Sequence, residues 1–171
     1  MRLRELTVRN YRPFGEQPPF IFSDQSTVIA GINGRGKTAL LDGIALALSR
    51  LLPQISPARG GYRYVELQDI HSGQEQGLFS LKLNCAGLPL TYDVEFQQGP
   101  RRLKAMHLAK AVKTEIRNKY GSDPTRSDDA APLAVYYTTD RATYRRPREL
   151  PREVPRGQAA AYYGALANRT V

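Results

Sequence analysis

Leu3, Leu6 and Val8 are interleaved with charged and hydroxyl residues, a pattern that predicts a strand over residues 3–8 with Leu3 one step out of phase. Pro13, Pro18 and Pro19 then interrupt the chain ahead of a short second strand, Phe20-Ile21-Phe22, because proline offers no ladder donor. Thr27-Val28-Ile29-Ala30 is apolar and β-branched, which predicts a central strand buried on both faces and leading into a glycine-rich turn. From residue 37 to 52, Leu40, Leu41, Ile44, Ala45, Leu48, Leu51 and Leu52 recur at helical spacing, and Pro53 is expected to stop that helix. Residues 53–77 hold two prolines and four glycines and read as a long irregular excursion.

Period-2 alternation returns at Leu81, Leu83 and Cys85 and again at Leu90, Tyr92, Val94 and Phe96. With Gly87 and Pro89 between them, the two runs predict an antiparallel hairpin with one wet face. Leu103, Met106, Ala109, Val112, Ile116 and Tyr120 predict an amphipathic helix closed by Gly121. Residues 122–129 read as a loop and 133–137 as one more buried strand. Beyond these the chain is Arg/Pro-rich, and no internal repeat is found.

Chemistry concentrates where the third predicted strand meets the first predicted helix. Gly31-Ile32-Asn33-Gly34-Arg35-Gly36-Lys37-Thr38 matches G-x-x-x-x-G-K-[ST] in the strand–turn–helix context that this pattern requires. Its glycines let successive N–H groups turn inward around phosphates. Lys37 supplies a mobile cation for the β- and γ-phosphates, Thr38 a hydroxyl for Mg²⁺, and the first helical turn a partial positive charge.

These residues, with Asn10, Tyr11 and Arg12 upstream and Leu40, Leu41, Asp42 and Ile44 downstream, resemble the opening of the SMC/RecF class of ABC-type ATPases. That class includes related AAA ATPases of DNA repair and phage defence. The resemblance is specific over about the first 50 residues. It implies an α/β P-loop NTPase fold, with an ABC/SMC-like mixed sheet, a P-loop helix and an antiparallel β hairpin. It implies ATP and Mg²⁺ as cofactors, and places Asn10 and Arg12 near the ribose or phosphates. Residues 65–70 are similar to a segment in which a glutamine reaches the metal. Gln68 is the candidate there, beside the plainer reading of a surface-loop glutamine.

Such ATPases also carry a signature loop and a Walker B strand that ends Asp-Glu. The nearest Walker B match is residues 133–140, where two threonines precede Asp140 and Arg141 stands in the place of the glutamate. Asp140 is therefore a weak metal-ligand candidate, against a solvated strand end or an arginine partner. His71-Ser72-Gly73-Gln74 resembles a signature loop but precedes a strand, which favours a plain turn. The expectation is an N-terminal lobe over residues 1–140 with a basic tail over 141–171, belonging to a larger head. Its missing half would come from a partner chain, or the family's homodimer would form. ATP binding survives such a division better than ATP hydrolysis does.

Charge narrows the partners. The chain carries +9 in 171 residues. Residues 1–100 hold 10 Lys/Arg against 9 Asp/Glu, whereas 101–156 hold 14 against 7. Arg141, Arg145, Arg146, Arg148, Arg152 and Arg156 with Tyr144 could follow a nucleic-acid backbone such as DNA, or form a solvated tail. No apolar run approaches the roughly 18 residues of a membrane span. Neither a signal sequence nor a disulfide partner for Cys85 is visible, which suits the cytoplasm. Cys85 reads as strand packing, and His71 and His107 lack the neighbours of a zinc site.

Two rival readings stay open. One is another P-loop enzyme, a kinase or GTPase, although Asn118-Lys119-Tyr120-Gly121 has the wrong fourth residue for a base-reading Asn-Lys-x-Asp. The other is a nucleic-acid-binding module whose P-loop does not turn over.

Overall fold

The computed structural model describes residues 1–55, 64–85, 88–99, 104–105, 109–120 and 134–137. Over these it is an α/β fold. Strand β1 (Arg2–Arg9) is followed by β2 (Phe20–Ile21), helix α1 (Lys37–Ile55), β3 (Gln76–Cys85), β4 (Leu88–Gln97), β5 (Lys104–Ala105) and α2 (Lys110–Tyr120). The strands form one sheet in the order β2-β1-β3-β4-β5, each neighbouring pair antiparallel.

The phase slip at Leu3 has a structural cause. The β1–β3 register shifts between Leu3, opposite Leu83, and Glu5, opposite Lys82, so Arg4 is an extra residue on β1. This bulge returns Leu3 to the face that carries Leu6, opposite Leu81, and Val8, opposite Phe79. On that face Leu6, Val8, Phe79, Leu81, Leu83, Leu90, Tyr92, Val94 and Phe96 are buried beneath α1. Residues Ala45, Leu46, Ala47, Leu48 and Ser49 of α1 are buried on every side of the helix, because the sheet lies beneath it and Ile116 of α2 is also in the core. The Tyr92 hydroxyl donates to the Ala47 carbonyl at 3.3 Å and ties sheet to helix.

The hairpin forms as the alternation predicts, with Gly77 opposite Phe96 and Cys85 opposite Leu88. Five other expectations need correction. Residues 27–30 are not a strand, and Val28 is 88% exposed. A strand is a property of a pair, and both edges of β1 are already taken by β2 and β3, while no other described strand pairs with this run. Residues 134–137 keep their alternation, with Ala134 and Tyr136 against the core and Val135 and Tyr137 outside, but they too join no ladder.

Pro53 does not stop α1 at once, for the helix ends two residues later at Ile55. Proline removes only the bond back to residue 49, a loss that a last turn tolerates better than a helix interior. The expected helix over 103–120 is shorter, because Lys104 and Ala105 pair with Gln97 and Phe96 as an edge strand and α2 starts at Lys110. A short apolar run does not distinguish the two periods. Finally, the described part of the excursion over 53–77 contains packed structure. Val65 and Asp69 are buried, Leu67–Asp69 makes a 3-10 turn, and β3 begins at Gln76. Among the described residues no helix is long and apolar enough to cross a membrane.

Candidate nucleotide-binding site

The end of β1 builds the floor of the site. Asn10 takes φ +54°, a left-handed conformation that asparagine tolerates, and its side-chain amide donates to the Gln76 carbonyl at 3.0 Å and to Gln74 Oε1 at 3.4 Å. Tyr11 and Phe14 exchange both backbone hydrogen bonds at 2.9 Å across a two-residue turn. Arg12, the first residue inside that turn, sits at φ +49°, where glycine is the usual occupant. Tyr11 is 1% exposed and meets the rings of Phe79 and Phe96 edge-on.

The loop 31–38 rests on this turn. Gly34 and Gly36 have φ +82° and +89°, which side chains rarely adopt. A Cβ at Gly36 would lie 2.8 Å from both the Phe14 ring and Pro13. Gly36→Ala is therefore expected to lose about 1–3 kcal/mol of stability through left-handed strain and the displaced Phe14 ring, read as a lower thermal midpoint. The first helical bond runs from Leu40 N–H to the Gly36 carbonyl at 2.8 Å, so the N–H groups of the preceding turn point out of the helix toward the loop. The Lys37 ammonium folds back across that loop and donates to the carbonyls of Gly31 at 2.7 Å and Ile32 at 2.9 Å. Ile32, Asn33, Arg35 and Thr38 are exposed or nearly so, with Thr38 in the first turn of α1.

Arg12 faces two carboxylates. Its Nε donates to Asp69 Oδ1 at 2.8 Å and its Nη1 to Asp42 Oδ2 at 2.5 Å. Its backbone N–H donates to the Asp69 carbonyl at 2.7 Å, and its own carbonyl is 2.7 Å from His71 Nδ1, which must carry the proton there since a carbonyl only accepts. Partial burial works against the guanidinium charge, but the hydrogen bonds to Asp69 and then Asp42 outweigh it and hold its pKa above the ordinary arginine value. Asp69 is 6% exposed and its other oxygen accepts the Glu66 N–H at 2.9 Å. Asp42 also accepts from the Tyr136 hydroxyl at 2.7 Å.

Gln68 is exposed and its amide donates to Glu66 at 2.6 Å. Together with Tyr11, Arg12, Leu46, Tyr64, Glu66 and Asp69 it lines a cavity of about 330 Å³. His71-Ser72-Gly73-Gln74 is a tight turn, with Gly73 at φ +81° and Gln74 N–H bonded to the His71 carbonyl, that feeds β3. Asp140, His107 and the arginines from 141 onward lie outside the described residues, as does the Cys85 side chain. The sequence reading missed Asp69 and Tyr136. A signal for Asp69 was present in Glu66-Leu67-Gln68-Asp69, since the two acids are spaced as a capping box and form one.

The residues of the loop fit a polyphosphate and its metal. Outward-facing N–H groups, the Lys37 ammonium and an exposed threonine converge at one helix N-terminus.

Among solved structures, that of the recombination mediator protein RecF-ATP in the RecFOR pathway is similar at 19% identity and a TM-score of 0.43. The likeness covers 65% of this chain and 28% of that one, so the chain spans well under half of that relative's length. A family profile described as AAA domain matches residues 5–161. The chain belongs to the AAA domain family.

Proposed function

We propose that this chain binds Mg-ATP on residues 31–38 and serves as the nucleotide-holding lobe of an SMC/RecF-like ATPase. The observation that carries this reading is the loop itself. Two glycines at positive φ stand before a 19-residue helix, with the Lys37 ammonium lying across the loop. The N–H groups of the loop and first turn would hold the phosphates, and Lys37 would exchange its two carbonyl partners for β- and γ-phosphate oxygens. Thr38 would hold Mg²⁺, which when bound offsets phosphate charge.

In this reading Asp140 or a partner chain supplies the remaining metal carboxylate, and hydrolysis belongs to an assembled head, either a homodimer or a pair of unlike chains. The basic stretch 141–156 would follow a DNA backbone, in the service of DNA repair, DNA maintenance or phage defence in the cytoplasm.

The test is equilibrium binding of a fluorescent ATP analogue in Mg²⁺ and in EDTA, with phosphate release measured in the same samples. Binding in Mg²⁺ without release marks a nucleotide-holding lobe that awaits its other half. Release that disappears when Asp140 is replaced by Ala assigns the carboxylate to this chain. Thr38→Ala is expected to lose roughly tenfold or more of the affinity in Mg²⁺ while keeping that in EDTA, because only the metal's hydroxyl ligand is removed. An equal loss in both media would assign Thr38 a role other than metal binding.

A further inference from the structure

We infer that Arg12 is a positioning residue which clamps helix α1 to the 64–71 loop and so sets the placement of Thr38, and that it does not bind phosphate. The inference rests on the Mg-ATP reading given above.

Three observations carry it. First, two of the guanidinium nitrogens are committed, Nε to Asp69 and Nη1 to Asp42, in a fork that suits arginine and not lysine. Both carboxylates are largely withdrawn from solvent, with side-chain exposures of 9% for Asp69 and 13% for Asp42. Freeing the guanidinium for a phosphate would leave two such charges unpartnered by it, a costly exchange.

Second, the backbone of Arg12 is held on the same side as its side chain. Its N–H bonds to Asp69 and its carbonyl to His71, and φ +49° is strain that surrounding contacts must support. Third, Asp42 lies four residues after Thr38 on α1, hence on the same helical face one turn along. Fixing Asp42 fixes the rotation and height of the turn that presents Thr38. The same turn of chain also backs the phosphate loop, since Pro13 and Phe14 are what a Cβ at Gly36 would strike. Tyr136 holds the second oxygen of Asp42 and adds a third segment to the clamp.

The experiment uses the whole chain with Arg12→Lys and Asp42→Asn, singly and together. Binding of the fluorescent ATP analogue is measured in Mg²⁺ and in EDTA, and thermal unfolding is recorded for every variant. Asp42→Asn keeps the size of the side chain, so it carries the test if Arg12→Lys fails to fold. Each single variant is expected to lose roughly tenfold in Mg²⁺-dependent affinity with little change in EDTA, and the double variant no more than either single. Loss of affinity in EDTA by Arg12→Lys, with Asp42→Asn binding as well as the unaltered chain or better, would show the guanidinium reaching phosphate and overturn the inference. Equal losses in both media by both variants would reduce the clamp to general stability and overturn it too. Failure of the unaltered chain to bind the analogue in either medium would instead overturn the Mg-ATP reading beneath it.

Discussion

Lys37→Ala is expected to weaken Mg-ATP binding by roughly 10- to 100-fold, the range for losing hydrogen bonds from a charged donor. The deficit should appear in Mg²⁺ and in EDTA alike, since the ammonium acts on phosphate and not through the metal. That separates it from Thr38→Ala. Lys37 also joins the Gly31 and Ile32 carbonyls, so the variant is expected to loosen the loop as well as remove its charge. These carbonyls are exposed and can turn to water, and the cost to folding should stay below about 1 kcal/mol. Isothermal titration together with thermal unfolding separates the two effects. Unchanged ATP affinity in Lys37→Ala would remove the P-loop from the function of this chain.

Gly77→Val should be the most damaging single change to the fold. A Cβ at Gly77 would stand 2.2 and 2.4 Å from atoms of the Phe96 ring and 2.8 Å from the Arg9 carbonyl. Phe96 lies across its cross-strand partner Gly77 to reach Phe79 at 5.4 Å and Tyr11 at 6.3 Å. A valine there must expel that ring or break the β1–β3 ladder beside it. Either course is expected to cost about 3 kcal/mol or more, enough to lower the thermal midpoint by roughly 10 °C. A midpoint within a degree or two of the unaltered chain would mean that Phe96 does not hold this position.

How much of this was legible in the sequence follows from how far apart the interacting residues lie. The phosphate loop, its helix and the β3–β4 hairpin are short-range features, written in glycine spacing, a 3.6-residue repeat and strict alternation. The clamp was not legible, because Arg12 meets Asp42 at a separation of 30 and Asp69 at 57. Nothing local marks such a pair. Asn10 and Arg12 were expected near the nucleotide by resemblance, and the structure gives their side chains partners in Gln76, Asp42 and Asp69. Residues 27–30 show the opposite error. Their composition is that of a buried strand, yet composition records what a segment tolerates and not whether a neighbour is there to pair with it. The out-of-phase Leu3 was legible as an anomaly, but its cause, a bulge at Arg4, appears only in the register against β3.

The antiparallel pairing of β1 with β3 has a consequence for the order in which the chain assembles. Asn10, directly after β1, and Gln76, the first residue of β3, are hydrogen-bonded across 66 positions of sequence. The P-loop residues 31–38 lie inside that closed loop. Closing it costs about 4 kcal/mol of chain entropy beyond a constant, whereas the β3–β4 hairpin closes almost at once. The hairpin is therefore expected to form first and serve as a template, and Pro13 and Phe14 come to back Gly36 only once β1 has paired with it. In this chain the backing of the P-loop is expected to be among the last contacts that folding delivers.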